Sequence, residues 1–119
     1  MERANWIGAP EFYHLNCLCA TLVAAFGHNV YLVGSTLTKR DYRDVDIRVI
    51  LDDAEYESLF GPGSEGDPQI NAFWSLTCSA ISEWLSKRSN LPIDFQIQSM
   101  TKANKEKGAR QALGCFFHR

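Results

Sequence analysis

The chain has 119 residues, enough for one domain with a core of its own and not for a second full domain. Its 45% apolar and 22% charged residues describe a folded globular protein rather than a disordered or fibrous one. No apolar run reaches the roughly 20 residues that span a bilayer. The start MERANWIGAPEF lacks a basic stretch followed by an apolar one, so neither a membrane anchor nor a signal peptide is indicated and the expected location is cytoplasmic.

Pro10 to Phe26 opens the chain as a core-facing helix: Phe12, Leu15, Cys19, Leu22, Val23 and Phe26 recur at helical spacing, Pro10 suits a first turn and Gly27 a stop. Cys17, Cys19, Cys78 and Cys115 have no metal-binding spacing and read as small apolar residues in a reduced compartment. His14, His28 and His118 offer no pair at ligand spacing and read as structural or incidental.

Asn29 to Val33 reads as a strand, Gly34-Ser35 as a break, Thr36 to Arg43 as a short helical turn or loop, and Val45 to Leu51 as a second strand. Side chains alternate across a strand, so Asp44, Asp46 and Arg48 share one face while Val45, Ile47 and Val49 share the other. Neighbouring carboxylates repel unless a cation lies between them, and Mg2+ (or Mn2+) is suited to a few carboxylates together with water and phosphate oxygens. A glycine after a strand allows close backbone approach, and Ser35 with Thr36 supplies hydroxyls and amides at a turn, so Gly34, Ser35 and Thr36 form a candidate phosphate site. Lys39, Arg40 and Arg43 lie between this turn and the acids, where they could meet an outgoing pyrophosphate. Arg48, two residues beyond Asp46, could neutralise the carboxylates without metal or contact substrate.

Asp52-Asp53-Ala54-Glu55-Tyr56-Glu57 reads as an acid-rich helix start whose acids cap before they do anything else, with a stop at Gly61. Gly61 to Asp67 reads as a flexible loop. Asp67-Pro68 then opens a long helix with an apolar stripe of Ile70, Phe73, Trp74, Thr77, Ile81, Trp84 and Leu85. Leu91 to Gln98 is a third strand with Asp94, Gln96 and Gln98 on one face; Thr101 is a candidate cap for a short helix that Gly108 weakens. The ending, with Phe116 and Phe117 adjacent, has no clear period. Residues 87 to 119 carry seven Lys and Arg against two Asp and Glu, whereas residues 1 to 86 carry five against twelve. A basic tract of Lys87, Arg88, Lys102, Lys105, Lys107 and Arg110 beside an acidic site suits a triphosphate or a nucleic-acid backbone, or is a solvated helix face.

This order of elements predicts an α/β (α+β) fold, a small mixed β-sheet with helices on one face and the acid-bearing face open. The sequence Gly34-Ser35, eight residues, Asp44-Val45-Asp46-Ile47, with Asp94 inside a later strand, resembles the signature of the polymerase-β-type nucleotidyltransferase superfamily, over residues 30 to 98. The resemblance implies a minimal, single-domain nucleotidyltransferase spanning residues 1 to 119. It further implies Asp44, Asp46 and Asp94 as catalytic metal ligands, with Gly34, Ser35, Thr36, Lys39, Arg40 and Arg48 contacting the nucleotide. The reaction would move a nucleoside monophosphate from an NTP such as ATP to a hydroxyl on a small molecule, protein or nucleic-acid end, releasing pyrophosphate. Relatives usually add a helical domain that grips the base; only about 20 residues follow Gln98 here, which leaves room for a homo-oligomer or a partner subunit to supply that surface. Two alternatives stand beside the enzyme: a non-catalytic nucleotide-binding or antitoxin-like partner-binding module on the same fold, and a structural domain whose three acids are fortuitous.

Overall fold

In the computed structural model of the chain, residues 4–62 and 71–114 are described. Their order is helix α1 (Ala9–Phe26), strand β1 (Val30–Val33), a 3-10 turn (Gly34–Leu37), strand β2 (Val45–Leu51), helix α2 (Asp53–Phe60), helix α3 (Ala72–Ser89), strand β3 (Ile93–Ser99), helix α4 (Met100–Lys105) and strand β4 (Gln111–Leu113). The sheet is mixed, in the order β3-β2-β1-β4: β1 runs antiparallel to β2 and β4, and β2 and β3 are parallel. The α+β class and the helix–strand–turn–strand–helix–helix–strand–helix order follow the sequence reading. No helix of the described residues is long and apolar enough to cross a membrane.

The alternation in β2 and β3 decides which way the sheet faces. Val45, Ile47, Val49 and Leu51 of β2 and Ile93, Phe95 and Ile97 of β3 are buried and join Leu15, Cys19 and Leu22 of α1 with Trp74, Cys78 and Leu85 of α3 in one core. Burial raises the pKa of the Cys19 thiol to about 12 and that of Cys78 to about 11, so both stay protonated; these two are buried as the sequence reading expected, whereas Cys17 is exposed. Gly27, left-handed at φ 70°, ends α1 by returning its N–H to Val23 O.

The opposite face is not fully open, contrary to expectation. Helix α4 and residues 106–110 rise beside it, because β4 pairs with the outer edge of β1 and draws the chain back across the sheet. A strand of three residues has no readable period; its pairing with β1 and the packing of Gly114 on α1 define it. The Gly114 N–H donates to Asn16 Oδ1 at 2.5 Å. The N-terminal segment adds a second tie, Asn5 Nδ2 donating to Gln111 Oε1 at 2.9 Å and Trp6 N–H to Thr36 O at 2.8 Å.

Two capping assignments change. Ser99, not Thr101, caps α4, its hydroxyl accepting from the Lys102 N–H at 3.1 Å. Thr101 instead donates its backbone N–H to Asp53 Oδ1 at 3.0 Å and its hydroxyl to Oδ2. Asp53 therefore caps another helix rather than its own, and these bonds with that from the Met100 N–H hold its carboxyl below the usual range. In α3, Asn71 is the cap, accepting from the Trp74 N–H at 2.9 Å. Phe73, placed in the core by its spacing, is 55% exposed and lies against the ring of Phe60, 5.5 Å between centroids. The expected start at Asp67-Pro68, with Ile70 and most of the Gly61–Asp67 loop, lies outside the described residues, as do Cys115, Phe116, Phe117 and His118.

Candidate functional site

The parallel register of β2 and β3 sets Asp46 directly beside Asp94, Arg48 beside Gln96 and Ile50 beside Gln98. On the other flank of β2, Val33 pairs with Asp46, so the chain turns out of the sheet at Gly34 where that carboxylate stands. Gly34 has φ +83°, a left-handed conformation, and a Cβ on it would collide with Asp46 Oδ2 and lie 3.3 Å from its Cγ. Only glycine lets the turn and the carboxylate come this close.

Asp46 is half-buried. Its carboxyl pKa is raised, first by burial; Arg48 opposes this, and the charges of Asp94 and Asp44 add to it. The three acids thus belong to one electrostatic cluster, although they do not line one cleft. Asp46 separates two hollows on this face. One, of about 400 Å³, runs from Gly34 and Thr38 past Asp46 and Arg48 to Gln98, Lys107 and Arg110. The other, of about 300 Å³, is lined by Ser35, Lys39, Tyr42, Arg43, Asp44 and Asp46. Asp94 lines neither; it opens onto a groove between β3 and α3.

Arg48 occupies the place between Asp46 and Asp94. Its side chain is 12% exposed, with Nη2 at 3.5 Å from Asp94 Oδ2 and 3.9 Å from Asp46 Oδ1. Nη1 donates to Asp94 O at 2.8 Å and to Ile47 O at 3.0 Å, whereas the buried Nε has no partner. Of the two roles the sequence allowed Arg48, neutralising the carboxylates is the one observed.

The remaining candidates divide by position. Ser35 and Lys39 face the same hollow as Asp44 and Asp46, and Gly34 floors the larger one. Thr36, by contrast, is fully buried and its hydroxyl has no partner, so the side chain points into the protein and not toward a phosphate; the three-residue 3-10 repeat turns it inward. Arg40 lies outside both hollows with its guanidinium 5.1 Å from the Trp6 ring. The amides of Thr38 and Lys39 are spent on Ser35 O, at 3.0 and 2.7 Å. Of the basic tract, Lys107 and Arg110 reach the larger hollow, whereas Lys87 pairs with Glu83 at 3.3 Å and Arg88 lies over Trp84. Gln98 went unassigned from sequence; its place on the Asp94 face was the available signal.

Asp44 precedes β2 and is exposed, so it is free to turn toward a cation beside Asp46. Hard oxygen donors, mutual repulsion and a neighbouring Ser–Lys pair suit Mg2+ or Mn2+ carrying phosphate. Asp94, across the Arg48 guanidinium, does not converge on them: among the described residues the only group of three or more His, Cys, Asp or Glu side chains with ligand atoms within 4.8 Å of one another is His28, Asp52 and Glu55. No protein-family model, curated protein or solved structure matches this chain.

Proposed function

We propose that the protein is a metal-dependent nucleotidyltransferase that transfers a nucleoside monophosphate from an NTP to a hydroxyl acceptor. The observation that carries this reading is the junction at Asp46, whose carboxylate touches the Gly34 turn on one side and stands in register with Asp94 on the other. A glycine turn carrying Ser35 beside paired acids on one sheet face supports metal-assisted phosphoryl chemistry.

Asp44 and Asp46 would hold a Mg2+ ion, which would neutralise triphosphate charge and favour departure of pyrophosphate. Ser35 donates its hydroxyl to a phosphate oxygen, and Lys39 offsets phosphate charge from the same wall. Lys107 and Arg110 give the larger hollow a cationic rim for the remainder of the nucleotide or for an anionic acceptor. Asp94, which opens onto the groove between β3 and α3, takes the proton of an acceptor hydroxyl that enters along that groove, and Arg48, bonded to its carbonyl and paired with its carboxylate, fixes its orientation.

The Arg48 guanidinium between Asp46 and Asp94 favours a second reading, a nucleotide-binding module without turnover, since an internal cation already balances the acids. Calorimetric titration with Mg2+ and each of the four common NTPs, together with release of pyrophosphate, separates the two. The enzyme binds an NTP with metal and loses at least about a hundredfold in pyrophosphate release on Asp94→Asn while keeping affinity. The module binds and releases none. No heat with any NTP in folded protein would refute both.

A further inference from the structure

The opposite end of β2 carries a second cluster, roughly 20 Å along the strand from Asp46. His28 lies in the turn between α1 and β1, just after the left-handed Gly27. Asp52 occupies the N-cap of α2, and Glu55 lies in that helix's first turn. The fold folds these elements onto one another, so that one ligand atom from each of the three lies within 4.8 Å of the other two, and His28 Nε2 is 2.7 Å from Glu55 Oε1.

Asp52 adds an independent sign. An aspartate at an N-cap ordinarily accepts a hydrogen bond from the second or third amide of its helix. Asp52 makes no such bond; its carboxylate instead faces His28 and Glu55. Two carboxylates held this close repel, and the 2.7 Å contact of His28 with Glu55 alone does not relieve Asp52. A cation coordinated by all three would, and one nitrogen with two oxygens is the donor set of a borderline first-row ion rather than of Mg2+.

We infer that His28, Asp52 and Glu55 form a binding site for a divalent transition-metal ion of the zinc class, separate from the Asp44–Asp46 cleft and independent of whether that cleft handles nucleotides. Three protein ligands leave a position for water. The site would brace the α1–β1 turn against α2. Because the neighbouring Asp53 caps α4, that brace continues to the helix beside the larger hollow.

Chelator-stripped full-length protein is titrated with zinc chloride by calorimetry and, separately, with Co2+ while visible absorption is recorded. One ion per chain is expected, with Tm raised by about 10 °C at a hundredfold excess over Kd. His28→Gln, at a half-buried position, and Glu55→Gln, at an exposed one, both checked for native circular dichroism, should each weaken zinc binding by roughly 30-fold or more; Asp46→Asn should leave it unchanged. Absence of a 1:1 heat, or wild-type affinity in both variants, overturns the site. So does a loss in Asp46→Asn matching theirs, because the ion would then lie in the other cleft.

Discussion

Gly34 and Asp46 touch across the junction of β1 and β2: the glycine's missing side chain is the space the carboxylate fills. Gly34→Ala places a methyl group on that carboxylate and imposes it on a backbone at φ +83°. Both effects oppose folding, together by about 1–3 kcal/mol. The methyl group displaces that carboxylate from its present position, and on the proposed function metal-dependent NTP affinity should fall at least about tenfold. Urea unfolding and calorimetry read the two effects; an alanine variant with wild-type stability and affinity would show that the close contact has no consequence.

Arg48 is the one described cation paired with both Asp46 and Asp94. Arg48→Leu keeps the apolar stem and removes the guanidinium, leaving two half-buried carboxylates side by side in register. Losing the guanidinium costs about 1–2 kcal/mol at neutral pH, because water reaches both carboxylates and screens the pair. Millimolar Mg2+ should restore part of that loss, and mild acid should too, by protonating one acid of the pair. A variant that unfolds at the same urea concentration with and without Mg2+ would argue that no cation can replace the guanidinium.

The strands, their faces and the acid positions could be read because alternation is local: Val45, Ile47 and Val49 had to go inward, which forced Asp46 and Arg48 outward. Residues whose partners lie far along the chain could not. Gln111–Leu113 becomes a strand only beside β1, Thr101 finds Asp53 forty-eight residues away, and His28 meets Asp52 and Glu55 through the fold alone. Thr36 misled because a hydroxyl after Gly-Ser resembles a phosphate donor, while the direction of its side chain is set by the pitch of a 3-10 turn. The proximity of Arg48 to the acids was legible; its insertion between Asp46 and Asp94 required knowing that β2 and β3 are parallel neighbours.

Asp46 gives stability a pH dependence of definite sign. Burial raises its folded pKa above the ordinary 3.8, so the native state holds a proton more tightly than the unfolded chain. Stability from this group therefore declines as pH rises from about 3.8 through the raised value. Asp46→Asn removes that decline, and should match wild type in acid and exceed it near neutral pH. Asp53 acts in the opposite direction: its folded pKa is lowered, and its contribution disappears as pH falls below 3.8. Asp53 is present in both proteins and cancels in the difference between their urea midpoints from pH 3 to 7. A difference that shrinks with rising pH would contradict the assignment.

The outer edge of β3 is guarded by one stripe of α3. Trp74 Nε1 donates to Ile97 O at 2.9 Å, Ser82 Oγ accepts from the Phe95 N–H at 2.8 Å, and Ser86 Oγ accepts from the Ile93 N–H at 3.0 Å. Four helical residues advance about 6 Å and two strand residues about 6.6 Å, so Cys78, Ser82 and Ser86 meet Ile97, Phe95 and Ile93 in turn, and the long side chain of Trp74 reaches Ile97 from one turn earlier. Ser82→Ala or Ser86→Ala leaves an amide of the strand without its acceptor, at about 1–2 kcal/mol each. The double variant should lose more than either single variant. It also bares two amides of an edge strand, which invites pairing between copies. Light scattering should therefore rise with protein concentration in the double variant and not in wild type. A stable double variant that stays monomeric would mean that the packing of α3, rather than its hydroxyls, protects that edge.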